Sequence, residues 1–127
     1  MSLNITPTVA EGQQLVQGYG EGRFRIADVH HEGSVLVFAT ETLAWPVTEV
    51  DAITMETLAP VLAKAGTLDL LVVGSGPVFT RPPEALQAAL KEVGIALEWM
   101  DTGAACRTYN VLLTEDRRAA AALIAVD

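Results

Sequence analysis

Leu68-Asp69-Leu70-Leu71-Val72-Val73-Gly74-Ser75-Gly76-Pro77 is the stretch from which the architecture can be read. Every residue from Leu68 to Val73 except Asp69 is apolar, as in a strand covered on both faces. Gly74-Ser75-Gly76-Pro77 then breaks the run. Pro83 suits the first turn of a helix, Leu86, Ala89, Leu90 and Val93 recur on one helical face, and Gly94 suits its end. Ile95-Ala96-Leu97-Glu98-Trp99 reads as the next strand. Strand, helix and strand in this order form a βαβ unit, with parallel strands and a right-handed crossover.

Upstream, Leu58, Val61, Leu62 and Ala65 fall at i, i+3, i+4 and i+7, the face of an amphipathic helix. Thr54 or Thr57 can cap it, Pro60 is tolerated near its start, and Gly66 can close it. From Gln14 to Val47 the period is that of β-structure. Arg23-Phe24-Arg25-Ile26 alternates as a strand with one wet face, and Ser34 to Ala39 reads as a more buried strand. His30-His31-Glu32-Gly33 between them predicts a hairpin tip. Leu43 to Val47 predicts a third strand, which Pro46 confines to an edge or ends. Downstream, Asp101 or Thr102 can cap a helix from about Gly103 to Thr114 that buries Ala105, Tyr109 and Leu112, with Glu115-Asp116-Arg117 as a turn. Arg118 to Val126 is divided: four consecutive alanines favour helix, whereas Leu123-Ile124-Ala125-Val126 favours strand. The sum is an α/β core fronted by an N-terminal antiparallel layer.

The 127 residues suit one domain, with residues 1–13 as an extended leading segment. Half of them are hydrophobic, which excludes intrinsic disorder. Eight basic against sixteen acidic side chains give −8, a charge that disfavours nucleic acid and anionic membrane surfaces as partners. Residues 1–63 carry two basic and eight acidic residues (−6), and residues 64–127 carry six and eight (−2). An acidic interaction face would therefore lie in the N-terminal half. The single cysteine, Cys106, fits a reducing compartment. With no signal-peptide pattern, no transit-peptide composition and no membrane-spanning apolar run, the expectation is a cytoplasmic protein without membrane insertion.

Gly74-Ser75-Gly76, between a strand and a helix, sits where phosphate-cradling loops occur. It lacks the Gly-Lys-Ser/Thr ending of a nucleotide-hydrolysing loop, and Phe79 stands where a dinucleotide fingerprint needs its third glycine. What it retains is the potential of backbone N–H groups to hold a small anion, with Arg81 nearby. His30 and His31, adjacent on a strand, would point to opposite faces, and the spaced ligands of a zinc site are missing. Cys106 near a helix start, beside Arg107, could have a lowered thiol pKa. Against this, neither histidine is placed as its base, and free cysteine is more often a small buried hydrophobe. No nucleophile elbow or carboxylate pair specifies hydrolysis.

Leu70 to Gly76, Gly94-Ile95, Glu98, Thr102, Ala105-Cys106-Arg107-Thr108-Tyr109-Asn110-Val111-Leu112-Leu113 and Arg117 to Ile124 follow one another in a pattern that resembles the Mth938-like domains. This family is of unknown function, and its eukaryotic members include an assembly factor of mitochondrial NADH:ubiquinone oxidoreductase. The resemblance implies a three-layer α/β domain with a mixed central β-sheet, flanking helices and an additional N-terminal β layer, in which Arg118 to Val126 is a strand. It also implies a non-enzymatic interaction or assembly role, with a protein partner such as a respiratory-complex or membrane-insertion subunit. It brings no catalytic residue, metal or cofactor, and it is compatible with a homo-oligomer. The alternative is an anionic-ligand module or an unrecognised enzyme. Loops at the carboxyl ends of strands gather into one crevice, so its candidate residues are Gly74, Ser75, Gly76, Cys106, Arg107, Tyr109 and Asn110.

Overall fold

A computed structural model describes residues 12–127; the leading residues 1–11 lie outside the described part. Two sheets form. The first is an antiparallel meander of β1 (Val16–Gly20), β2 (Arg23–Ile26) and β3 (Val29–Glu32). The second has the order β5-β4-β8-β6-β7, with β4 (Val35–Val37), β5 (Thr42–Ala44), β6 (Leu70–Gly74), β7 (Ala96–Met100) and β8 (Ala119–Leu123). It is mixed: β6 runs parallel to both β7 and β8, and β4 runs antiparallel to β5 and β8. The helices are α1 (Ala59–Leu62), α2 (Glu84–Glu92) and α3 (Thr102–Thr114).

The central sheet is apolar on both faces, and the alternation of its strands sorts the core into two halves. Leu71 and Val73 of β6, with Ala120 and Ala122 of β8, meet Leu58 and Val61 around α1, Leu86 and Leu90 of α2, and Trp45 and Trp99. Val72, Ala121 and Leu123 face the other way, onto Ala105, Cys106, Tyr109 and Leu113 of α3 and onto Val16, Phe24 and Ile26 of the meander. The architecture is thus three-layered, with the meander as the additional β layer beside α3.

β8 resolves the divided C-terminal segment. Its four alanines are strand, hydrogen-bonded to β4 on one side and β6 on the other, and all are buried. Helix propensity differs between residues by tenths of a kcal/mol, less than two ladders and two covered faces supply.

Three local expectations are corrected and the bounds of a fourth are shifted. The β2–β3 hairpin turns at Ala27-Asp28, both at positive φ as a two-residue turn requires, and His30 and His31 lie within β3. Gln17 and Arg25 hold Asp28 there: its N–H donates to Gln17 Oε1 at 2.7 Å, and its carboxylate accepts from both side chains. The strand expected at Leu43 to Val47 is β5, an edge strand that ends before Pro46 as expected, with its bounds moved to Thr42–Ala44. α1 is a single turn continued by a 3₁₀ segment at Ala65–Thr67; the backbone of Lys64 already bonds at i−3, to Val61. Val93 caps α2 half-exposed instead of packing beneath it, because Gly94, at φ 81°, turns the chain away.

Candidate functional site

The strand ends of the βαβ unit meet the start of α3, and the contact is closed by hydrogen bonds. The Thr102 N–H donates to Gly76 O at 2.8 Å, and the Gly76 N–H donates to Thr102 Oγ1 at 3.0 Å. The Thr102 hydroxyl in turn donates to Ile124 O at 2.7 Å, tying the junction to the chain leaving β8. The Ser75 N–H is taken by Met100 O at 2.8 Å. Thr102 is fully buried, so each of these bonds replaces water that cannot enter.

The two glycines serve different ends. A Cβ on Gly74 would lie 2.9 Å from both Cα and Oγ1 of Thr102, so glycine is what lets α3 approach β6. Gly76, at φ 103°, has a backbone conformation that favours glycine.

The two N–H groups at Ser75 and Gly76 that an anion would need are therefore engaged within the fold. The neighbouring cleft has a volume of about 410 Å³ and is lined by Tyr19, Pro77, Asp101, Gly103 and Val126, among others. Of the seven candidate residues only Gly76 lines it. Its charged side chains are both acidic, Asp101 and Asp127, which opposes an anion. Asp101 caps α3, its carboxylate accepting from the Ala104 N–H at 3.1 Å.

The other candidates are dispersed. The Ser75 hydroxyl donates to Val78 O at 2.8 Å. Cys106 is buried in the core half beneath α3, and burial pushes its thiol up to about 12, outweighing the opposite pull of Arg107. Tyr109 is buried beside it; its hydroxyl has no hydrogen-bond partner among the described residues, and desolvation raises its pKa. Asn110 faces the meander, where its amide closes a two-bond pair with Val16: the Val16 N–H donates to Oδ1 and Nδ2 donates to Val16 O, both at 2.8 Å. It does for the edge of β1 what another strand would do. Arg107 is exposed, and its guanidinium donates to the Tyr19 hydroxyl at 3.5 Å.

Sequence reasoning missed the central place of Thr102, which it took for a possible cap. A threonine at the head of a helix ordinarily signals capping, and nothing local reveals that its hydroxyl will meet Gly76 and Ile124. Among the described residues no group of three or more His, Cys, Asp or Glu could hold a metal ion, and no helix is long and apolar enough to cross a membrane.

A mixed five-stranded sheet, an antiparallel β layer on the α3 side and a hydrogen-bonded β6–α3 junction define a Mth938-like α/β domain. The chain belongs to the family described as "Protein of unknown function (DUF498/DUF598)", whose model matches residues 16–124. It is 40% identical over 113 residues to an uncharacterized protein of Rhodobacter capsulatus, covering 89% of this chain and 86% of that one. It is 32% identical over 123 residues to NADH dehydrogenase (ubiquinone) 1 alpha subcomplex assembly factor 3 of Danio rerio, covering 97% of this chain and 71% of that protein. Among solved structures, one described as an outer membrane protein from Bartonella henselae superposes with a TM-score of 0.85 at 38% identity, covering 92% of this chain and 98% of that one. A Mth938-like domain from Bordetella pertussis gives 0.81 at 26% identity, covering 98% and 92%.

Proposed function

We propose that this chain is a non-enzymatic interaction factor that assists assembly of a respiratory NADH dehydrogenase complex, by binding one of its subunits or a membrane-insertion subunit. The observation that carries this reading is the 32% identity to the Danio rerio assembly factor, which runs through 97% of this chain. The site geometry supports it from another side. The polar groups gathered at the strand ends, Thr102, Gly76 and Ser75, bond to one another or to nearby backbone and leave little to bind an anionic ligand. In this reading the chain works as one domain in the cytoplasm.

The test is a pull-down with the tagged chain from gently detergent-solubilised cells, with bound proteins identified by mass spectrometry. Reproducible enrichment of respiratory-complex or membrane-insertion subunits is expected. A bait that returns alone at near-native expression would overturn the reading.

A further inference from the structure

The fold buries most of its aromatic side chains: Phe24, Phe38, Trp45, Trp99 and Tyr109 are all inside. Phe79 breaks this habit, 62% exposed, and its neighbour Val78 is 63% exposed. They are the two most exposed large hydrophobic side chains among the described residues, and they are adjacent. Scattered single apolar residues on a surface need no explanation, but a paired valine and phenylalanine at a loop tip do.

The loop that carries them, residues 75–83, is held on both sides of the pair. Before it, the Ser75 hydroxyl donates to Val78 O at 2.8 Å, and Gly76 exchanges two hydrogen bonds with Thr102. After it, Trp99 Nε1–H donates to Thr80 Oγ1 at 3.1 Å. Pro77, Pro82 and Pro83 fix three further φ angles. A surface already ordered before contact loses little conformational entropy on binding, and buried aromatic side chains dominate the energetics of interfaces.

Charge narrows the partner. Arg23, Arg25, Lys64 and Arg118 each pair with a carboxylate. Arg81, Lys91, Arg107 and Arg117 form no ion pair among the described residues, and of these Arg81, exposed, lies two residues from Phe79. In a chain of net charge −8, an unpaired guanidinium beside an apolar tip is complementary to a carboxylate beside an apolar pocket. The same net charge repels an anionic bilayer, so a protein is the favoured occupant.

We propose that the β6–α2 loop is the docking element of this chain: Val78 and Phe79 enter an apolar pocket of the partner protein, and Arg81 meets an aspartate or glutamate on its rim. This rests on the assembly reading and names the surface that reading requires.

The experiment places a benzophenone-bearing phenylalanine at position 79 of the full tagged chain in its cells of origin, with a control chain carrying it at Val29, on the meander. Irradiation is expected to give one adduct from position 79 that is absent from position 29, with the attached peptide containing apolar residues and a carboxylate. The purified partner should then bind Phe79→Ser on the order of 30-fold more weakly than the unaltered chain and Arg81→Glu about 10-fold more weakly. Phe79→Leu should retain binding within a few-fold. Because these side chains are exposed, the variants should melt with the unaltered chain.

A partner that binds the unaltered chain and Phe79→Ser equally would overturn the docking assignment while leaving the assembly reading standing. No captured partner at all would overturn both. Phe79-dependent binding to anionic phospholipid vesicles, or a dimer lost in Phe79→Ser, would overturn the partner protein in favour of a bilayer or a second copy.

Discussion

Replacing Asn110 by alanine removes the side chain that closes the edge of β1. Two hydrogen bonds disappear together, because the amide both accepts from the Val16 N–H and donates to Val16 O, each at 2.8 Å. Val16 is buried, so its two backbone groups are left with little water to replace the amide. An unsatisfied buried donor or acceptor costs about 1–3 kcal/mol. Asn110 itself is half-buried, which admits some solvent and puts the pair at roughly 2–4 kcal/mol. Alanine in the interior of α3 returns about 0.5 kcal/mol through its better helix propensity. The net loss is then about 1.5–3.5 kcal/mol, or a fall of roughly 6–14 °C in Tm for a domain of this size. Denaturation followed by the fluorescence of Trp45 and Trp99 measures it, and exchange of the Val16 amide locates it. Val111→Ala, on an exposed site of the same helix, is the control and should stay within about 0.5 kcal/mol. If Asn110→Ala lost no more than this control, the amide would not be what holds the meander to α3, and the argument would fail.

Thr102→Val keeps the shape but strands the Gly76 N–H and Ile124 O inside the junction, so a loss of about 2–4 kcal/mol is expected by chemical denaturation. A neutral result would mean that the β6–α3 junction opens to water. Tyr109→Phe removes a buried hydroxyl that has no partner among the described residues and should be neutral or stabilising by up to about 1 kcal/mol; a clear loss of stability would reveal a hidden acceptor. The buried thiol of Cys106, pushed up to about 12, stays protonated in the folded state while the unfolded chain ionises near pH 8.5. Its contribution is therefore fully present below about pH 8.5 and is lost as pH rises toward about 12. Stability measured across that window should fall less steeply in Cys106→Ala; an unchanged slope would assign the alkaline loss elsewhere, for instance to Tyr109.

The fold was legible where burial sets the period. β6 announced itself as an apolar run because both of its faces are covered, and Leu86 and Leu90 marked the buried stripe of α2 because that helix lies against one face only. β8 was not legible from its own residues. Ala119 to Ala122 are small because the strand lies in the middle of the sheet with packing on both faces, a demand that comes from the neighbours and contradicts the local preference for helix. The resemblance supplied the strand where propensity could not. The β2–β3 turn was misplaced for a related reason. A glycine at position 33 advertises positive φ, whereas Ala27 and Asp28 adopt it because the register of the two strands requires a two-residue turn there.

The meeting of two strand ends with the head of α3 was legible in the sequence, and the hydrogen bonds that close it were not. Two strand ends and a helix start do converge, as the topology requires. The side chains that looked reactive there are the ones the fold uses to close itself. Cys106 fills the core, Asn110 ties β1 to α3, and the Ser75 hydroxyl fixes the loop that follows. Sequence spacing cannot separate these uses from catalysis, because both require polar groups at strand ends and helix starts; what separates them is whether each donor already has an acceptor. At this junction the donors of Ser75, Gly76 and Thr102 have theirs. The free energy of an encounter must then come from groups the fold leaves unsatisfied. On the β6–α2 loop those are apolar surface at Val78 and Phe79 and an unpaired charge at Arg81, groups suited to another protein's surface more than to a small anion.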